Sequence, residues 1–313
     1  MSDLNLPAID SVAAELISVR DFIRYAVSRF NRAGLVHGHG AFTAYDEAVF
    51  MVLETLKLPV DQLEPYLEAR LLPAERQSLA SIIHERVTSR KPAAYLTKRT
   101  YIQGVPFYVD ERVIVPRSFI GELLFGEMFG GEQDFTLVDD VMDVERVLDL
   151  CTGSGCLAIL AAKIFPEAKV DAVDLSPDAL EVAKINVADH ALEERVKLFN
   201  GDLFKPLKGK KYDLIISNPP YVDAEAMANL PEEYQAEPRM ALVGGGDDGM
   251  DIVHRILKEA PKYLNEGGGL LVEVGTGRAA LEEAYPDAEF LWLETEMSFG
   301  EVFWITKDQL EDL

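Results

Sequence analysis

The run Arg146-Val147-Leu148-Asp149-Leu150 leads directly into Cys151-Thr152-Gly153-Ser154-Gly155, a helical stretch over 156–165, and a second run, Lys169-Val170-Asp171-Ala172-Val173-Asp174. Short, nearly continuous apolar runs suit strands buried on both faces, which is the habit of parallel sheets. A strand, a tight glycine turn, a helix and a parallel strand make one βαβ unit of the doubly wound kind. Further runs over 196–200, 212–217, 269–274, 289–293 and 302–306, interleaved with helical patterns over 251–263 and 278–285, extend the same plan.

The loop also restricts the ligand. Glycines let a ligand approach the backbone closely, and Asp174, at the tip of the second strand, can accept both hydroxyls of a ribose. The stretch from Asp149 through Gly153 to Gly155 lacks the full G-x-G-x-x-G spacing that seats a pyrophosphate on a helix N-terminus. A phosphate-free nucleoside fits better. S-adenosylmethionine, with its ribose, adenine and zwitterionic tail, suits a site that has acidic groups at Asp149 and Asp174. The third strand, over 196–200, runs into Gly201-Asp202-Leu203-Phe204. That places a carboxylate able to accept from an adenine amino group, and the apolar Leu203, beside the base. Without its neighbours, Asp202 is equally well explained as a helix cap or turn residue.

The fourth run, over 212–217, ends in Asn218-Pro219-Pro220-Tyr221. Open α/β sheets bind ligands at this end of their strands. Each proline fixes φ near about −65°, so the tetrapeptide is rigid, and read alone it is also what a plain turn looks like. Beside a nucleoside-binding loop it has a second use. The side-chain oxygen of Asn218 can accept from a flat NH2 group while an aromatic ring covers the π-face, an arrangement suited to methylating a planar nitrogen.

Taken in order, D-x-x-x-G-x-G, the aspartate after the second strand, G-D-L-F and S-N-P-P-Y resemble the class I S-adenosylmethionine-dependent methyltransferases, and more closely the HemK/Prm protein-glutamine methyltransferases. The resemblance spans nearly the whole chain, from Thr43-Ala44-Tyr45-Asp46-Glu47 to Phe303. It implies a Rossmann-like α/β fold with a seven-stranded sheet whose last strand is antiparallel, a small N-terminal helical domain and a linking β-hairpin. It also implies methyl transfer from S-adenosylmethionine to the side-chain amide nitrogen of one glutamine in a protein. Where the branch acting on peptide-release factors has P-R-P-E-T-E, this chain has Pro116-Arg117-Ser118-Phe119-Ile120-Gly121. With the loop from Cys151 to Cys156 and the stretch from Asn229 to Pro238, that departure is similar to the branch acting on the third large-subunit ribosomal protein. Cys151 stands where the wider class has glycine, and its Cβ weakens binding of the cofactor tail only if φ there is positive.

On this resemblance, Asp149, Cys151, Gly153, Gly155, Asp174, Asp202, Leu203 and Asn218 bind the cofactor, while Asn218, Pro219, Pro220, Tyr221 and Glu237 receive the glutamine. Asn218, Pro219 and Tyr221 carry catalysis. An amide nitrogen is a poor nucleophile because its lone pair is delocalised, so orientation supplies most of the acceleration. The Asn218 side-chain oxygen and the Pro219 carbonyl accept from the NH2 group and favour the positive charge that develops as the methyl arrives, with Tyr221 on the amide plane. No dedicated base is required. Glu237 has a positioning role at the start of a long glycine-containing loop.

A formal charge of −24, from 30 basic and 54 acidic residues, repels nucleic acid and steers a basic protein partner. It favours a large-subunit ribosomal protein, free or in an early assembly particle. It counts against a DNA adenine methyltransferase, which needs base flipping and phosphate contacts. A peptide-release factor is the alternative protein substrate, and a fold that has lost transfer is countered by intact Asn218 and Tyr221. Cys151, Cys156 and five histidines fall short of a metal-site pattern, so no metal is expected. The start Met1-Ser2-Asp3-Leu4-Asn5 has no signal-peptide character and no apolar stretch reaches about 18 residues, so a cytoplasmic chain that avoids membranes is expected. Val12, Leu16, Val19, Ile23, Ala26, Val27 and Phe30 recur at helical spacing, as do residues over 44–56 and 74–87. These predict a helical substrate-recognition domain over 1–98, a linking hairpin over 99–115 and a catalytic domain over 116–313.

Overall fold

A computed structural model describes residues 6–130, 136–296 and 298–313. Two compact units are present: one runs to Thr100 and also takes in Pro231–Ala236, and the other comprises Tyr101–Leu230 and Glu237–Leu313. Among the described residues no helix is long and apolar enough to cross a membrane.

The first unit is helical, with helices at Ile9–Glu15, Val19–Ala33, Ala44–Thr55, Pro73–Ser89 and Ala93–Thr97. The first apolar stripe of the sequence is two helices. Ser18 is extended, and its hydroxyl accepts from the Asp21 N–H at 3.2 Å while the Asp21 carboxylate accepts from the Ser18 N–H at 3.0 Å. That capping box starts a new helix. Val19, Phe22, Ile23, Ala26 and Phe30 then form its buried face. In the centre of the unit Arg86, fully buried, donates to Glu47 at 2.8 Å and to the Arg90 carbonyl at 2.9 Å. Burial works against the Glu47 charge, yet His37 and Arg86 outweigh it and hold that carboxyl below its usual range. Glu233, from the 231–236 segment, is likewise fully buried and pairs with Arg90, and it accepts from the Val36 N–H at 3.1 Å.

The second unit opens with a short hairpin of β1 (Thr100–Ile102), whose first residue closes the first unit, and β2 (Val105–Phe107). Gln103 and Gly104 both have positive φ, as a two-residue hairpin turn of this hand requires. Pairing stops at Phe107, short of the expected extent over 99–115, because the next N–H, of Tyr108, donates to the Asn186 side chain at 2.7 Å. The main sheet contains β3 (Arg146–Leu150), β4 (Lys169–Asp174), β5 (Val196–Asn200), β6 (Tyr212–Ser217), β7 (Leu264–Glu273), β8 (Leu291–Glu294) and β9 (Phe299–Thr306). Their order is β5-β4-β3-β6-β7-β9-β8, with β9 antiparallel to both of its neighbours and the other pairs parallel.

Successive side chains of a strand point to opposite faces. Val147, Leu214, Ile216 and Leu271 accordingly join one core with the helix Cys156–Ile164, while Leu148, Leu150, Ile215 and Leu270 join another with the helix Asp251–Glu259. This double burial is why the strands read as unbroken apolar runs. Several boundaries differ from expectation: β8 begins at Leu291 against the expected 289 and β9 at Phe299 against the expected 302, and two further differences have a visible cause. The helix predicted over 251–263 gives way after Glu259 to a 3-10 turn, Ala260–Lys262, because Pro261 cannot continue an α-helix. β7 starts at Leu264, ahead of the expected 269, with a register shift opposite Asp213, whose carboxylate accepts from the Asn265 amide at 2.6 Å.

The buried Arg86–Glu47 pair gives a stability prediction for the helical unit. Replacing Arg86 by Met leaves a buried anion without its main partner, a loss of about 3–5 kcal/mol. Urea unfolding followed by circular dichroism is expected to show a clearly lower midpoint for Arg86→Met and recovery of most of the loss in the Arg86→Met, Glu47→Gln double variant. An unchanged midpoint in the single variant would mean that Glu47 is not held as an anion.

Candidate active site

The chain winds outward from β3 through β4 to β5 and then returns to β6, on the other side of β3, before continuing to β7. That reversal is the topological switch point at which open α/β sheets bind ligands, beyond the carboxyl ends of the strands. A cleft lies there, enclosing roughly 860 Å³ of space that is partly open to solvent. Cys151, Gly153, Asp174, Asp202, Leu203 and Asn218, all expected at a cofactor or target site, line it, and so does Pro220.

The glycine loop is held from below. Asp149 is fully buried and does not line the cleft; its Oδ2 accepts from the Thr152 hydroxyl and from the Ala158 N–H at 3.0 Å, so it fixes the loop and the start of the helix Cys156–Ile164. Among the described residues its Oδ1 finds no donor. Burial pushes the Asp149 carboxyl up to about 7, against the pull of the Thr152 and Ala158 donors. The Thr152 N–H donates to the Val173 carbonyl at 3.0 Å, tying the loop to β4. Gly155 faces away from the cleft, with a Cβ there coming within 3.1 Å of Ala183, so it serves helix packing. Cys151 has φ of +59°, the condition under which its Cβ bears on the ligand, and a non-glycine residue in this region is strained by about 1–2 kcal/mol. Both cysteines are free; burial raises both thiols, Cys156 to about 12.

Asp174 accepts from the Gly153 N–H and the Ser176 N–H, each at 2.8 Å, one on each oxygen. Burial raises its carboxyl above the usual range, and these backbone donors oppose the rise. Asp202 pairs with Lys205 and Arg255, each at 2.7 Å, and these hydrogen bonds lower its carboxyl. Leu203, φ +48°, is buried and turned to the cleft.

At the tip of β6, the Ser217 hydroxyl donates to the Leu150 carbonyl at 2.9 Å and bolts β6 to β3. Asn218 and Pro220 then face the cleft, whereas Pro219 and Tyr221 are not among its lining residues. Tyr221, expected over the target amide, packs on Gly275, where a Cβ would come within 2.5 Å of its ring, and its hydroxyl lies 3.3 Å from Glu273. Glu237 is buried away from the cleft, where it accepts from both ends of the Arg117 guanidinium, at 2.6 and 2.9 Å, and from the Val115 N–H at 2.9 Å. It therefore fixes the segment around Arg117. Arg112, Met240, Ile252 and Arg255 also line the cleft and carry no motif by which the sequence points to them. Among the described residues no three His, Cys, Asp or Glu side chains are grouped as a metal ion needs.

A family model described as "Methyltransferase small domain" matches residues 136–284. The ribosomal protein uL3 glutamine methyltransferase of Bradyrhizobium diazoefficiens is 57% identical over 297 residues, covering 95% of this chain and 93% of that protein. The protein of the same name from Neisseria gonorrhoeae is 54% identical, covering 96% of this chain and 98% of that one. Among solved structures, a methyltransferase from Pyrococcus furiosus is 19% identical and covers 73% of this chain and 96% of that one at a TM-score of 0.45. Identity of this extent over nearly the full length places the chain, with its glycine loop and Asn-Pro-Pro-Tyr on one cleft, in the family of the ribosomal protein uL3 glutamine methyltransferases.

Proposed function

We propose that this chain transfers a methyl group from S-adenosylmethionine to the side-chain amide nitrogen of a glutamine in ribosomal protein uL3. The observation that carries this reading is the position of Asn218, at the tip of β6 and on the same cleft as Gly153 and Asp174. The residues present fit the cofactor. A Cβ at Gly153 would meet nothing within 4 Å, so the loop offers bare backbone to the cleft. Each Asp174 oxygen has taken one backbone donor and keeps lone-pair capacity for a ribose hydroxyl. The two arginines lining the cleft, Arg112 and Arg255, already pair with Asp110 and Asp202. That suits a ligand without phosphates. Bound there, S-adenosylmethionine supplies an electrophilic methyl group on its sulfonium.

The chain's part is to hold the target nitrogen. The Asn218 side-chain oxygen accepts one hydrogen of the glutamine NH2 and the Pro219 carbonyl accepts the other, turning the nitrogen lone pair along the line of transfer. Both acceptors favour the charge that grows on nitrogen, and the proton then leaves to water. Asp202 receives the adenine amino group on lone pairs that Lys205 and Arg255 leave open, and Leu203 covers the base. Asp149 acts through the loop it supports, and Glu237 through Arg117 and Val115.

Charge supports a basic protein target. Residues 1–100 contain 12 acidic and 12 basic side chains, so the whole net charge of −24 falls on the remaining chain, which holds the cleft. Such a field draws a basic ribosomal protein, free or in an early assembly particle, and repels DNA. The helical unit, at −2 once Glu232 and Glu233 are counted, is then the part suited to recognising the shape of the substrate, and a cytoplasmic site of action follows from that target.

Transfer of labelled methyl to uL3, a peptide-release factor and duplex DNA, with mass spectrometry of the product, tests the reading; label on a uL3 glutamine alone is expected, and label on either other substrate replaces it. Asn218→Ala is expected to lower kcat at least about a hundredfold while the cofactor Kd, from calorimetry, stays within about threefold. Loss of cofactor binding in that variant would overturn the division of roles. Raising ionic strength from about 0.05 to 0.3 M is expected to lower kcat/KM for uL3 by at least about fivefold with kcat nearly constant, because screening removes steering. A salt-independent kcat/KM would remove the electrostatic argument.

A further inference from the structure

One buried carboxyl beside the cleft has no part in the roles above. Glu273 is the last residue of β7, and the β6–β7 register pairs Ser217 with Val272, so Glu273 stands next to the start of Asn218-Pro219-Pro220-Tyr221. Its side chain is 2% exposed. One oxygen accepts from the Ser118 hydroxyl at 2.6 Å and the Phe119 N–H at 2.9 Å, and the other faces the Tyr221 hydroxyl at 3.3 Å. On its other side the Tyr221 ring rests on Gly275, where any side chain would collide with it. The ring is thus clamped between a carboxyl and bare backbone.

Tyr221 itself does not line the cleft; Asn218 does, and only Pro219 and Pro220 separate the two. Two prolines with φ fixed make a stiff lever, so a shift of the Tyr221 ring moves the Asn218 side chain. Holding a carboxylate in this place is costly, and an amide would satisfy the Ser118 and Phe119 donors equally well. A negative charge does what an amide cannot. It accepts from all three donors at once, and charge-assisted bonds are stronger than neutral ones.

We propose that Glu273 is a positioning residue for methyl transfer: as a carboxylate it fixes the Tyr221 hydroxyl and, through Pro219 and Pro220, sets the orientation in which Asn218 receives the target amide. This rests on the function proposed above. Burial raises the Glu273 carboxyl to about 7, opposed by the Ser118, Phe119 and Tyr221 donors and reinforced by Glu301 on β9. Tyr221 also feels Glu273, Glu301 and Arg117, the last paired with Glu237, and burial keeps its hydroxyl protonated across the accessible range. When Glu273 takes up a proton, that proton points to the phenol oxygen and Tyr221 changes from donor to acceptor. Activity therefore rises as pH passes upward through about 7. Stability moves the other way, because a raised carboxyl is protonated longer in the folded chain than in the unfolded one, and folding weakens as pH rises from the ordinary carboxylate range to about 7.

The test compares wild type, Glu273→Gln, Tyr221→Phe and the double variant for kcat and KM on uL3 between pH 5.5 and 9, with calorimetric cofactor binding and urea unfolding at pH 8. Glu273→Gln is expected to flatten the limb near pH 7 to what Asp149 alone contributes, to lower kcat by about ten- to a hundredfold, to leave the cofactor Kd within about threefold, and to unfold at a higher urea concentration than wild type. Tyr221→Phe is expected to lower kcat similarly, with no further loss in the double variant. Wild-type kcat and an unchanged pH limb in Glu273→Gln, or additive losses in the double variant, overturn the proposal. A second readout needs no substrate: the carbon-13 signal of the Tyr221 ring carbon bearing the hydroxyl is expected to titrate near pH 7 in wild type and not in Glu273→Gln. A flat signal in wild type overturns the proposal, whereas a titrating signal in a chain that does not methylate uL3 leaves the clamp standing and removes the substrate.

Discussion

The placement of β3 beside β6 is the constraint on which the site depends. The two strands are neighbours in the sheet, yet β4 and β5 lie between them in the chain. The helix that follows β3 packs on one face of the sheet and the helix before β7 on the other. A crevice is left between the two tips for that reason. The 2.9 Å bond from Ser217 to the Leu150 carbonyl fixes the spacing of the tips. The glycine loop leaves one of these strands and the Asn-Pro-Pro-Tyr turn leaves the other, so the ligand-binding backbone and Asn218 share a cleft without any side chain reaching across the molecule.

What could be read from the chain was what the sheet imposes locally. Strands β3, β4, β5 and β6 are legible to the residue, because burial on both faces demands short apolar runs with turn chemistry at their ends. The Asp174 tip, the glycine loop and Asn218 follow, since each is attached to the end of a strand. Contacts made across long sequence separations were not legible. Glu233 is fully buried against Arg90, 143 residues away, and carries Pro231–Ala236 into the helical unit. Nothing in the composition of that acidic stretch distinguishes it from a solvated loop. Tyr221 is drawn off the cleft by Gly275 and Glu273, and Glu237 is claimed by Arg117, partners that periodicity does not pair.

Two of the seven described non-glycine residues with positive φ stand just beyond strand ends at the cleft, one after β3 and one after β5. Among non-glycine residues, Cys151 and Leu203 both have positive φ, and both line the cleft. Each conformation is disfavoured for a residue with a Cβ, by about 1–2 kcal/mol. The surrounding bonds outweigh it: Thr152 to Val173 beside Cys151, and Lys205 to Asp202 beside Leu203. The outcome is two loops, one after β3 and one after β5, whose backbones turn at the wall of the same cleft. Glycine would relax the first turn and widen its choice of conformations, so the Cβ of Cys151 restricts the loop as well as straining it.

Two buried acids flank the tip of β6, Asp149 on β3 and Glu273 on β7, and burial raises both carboxyls to about 7. The sign of their linkage to stability is the same. Between the ordinary carboxylate range and about 7 the folded chain binds more protons than the unfolded chain, so stability falls as pH rises through that window and the loss is complete above it. Each contributes a loss on the order of 3 kcal/mol at the alkaline end. A fold selected for stability alone would place an amide or an apolar side chain at either position, as core packing allows elsewhere on the same strands, at Leu148 and Leu271. Each acid instead sits under a segment that must be aimed: Asp149 under the glycine loop through Thr152 and Ala158, and Glu273 under Tyr221 and Ser118. The carboxylate form accepts several donors at once and holds those segments more stiffly than a neutral group of the same shape, which is what transfer to a weakly nucleophilic nitrogen needs from the protein.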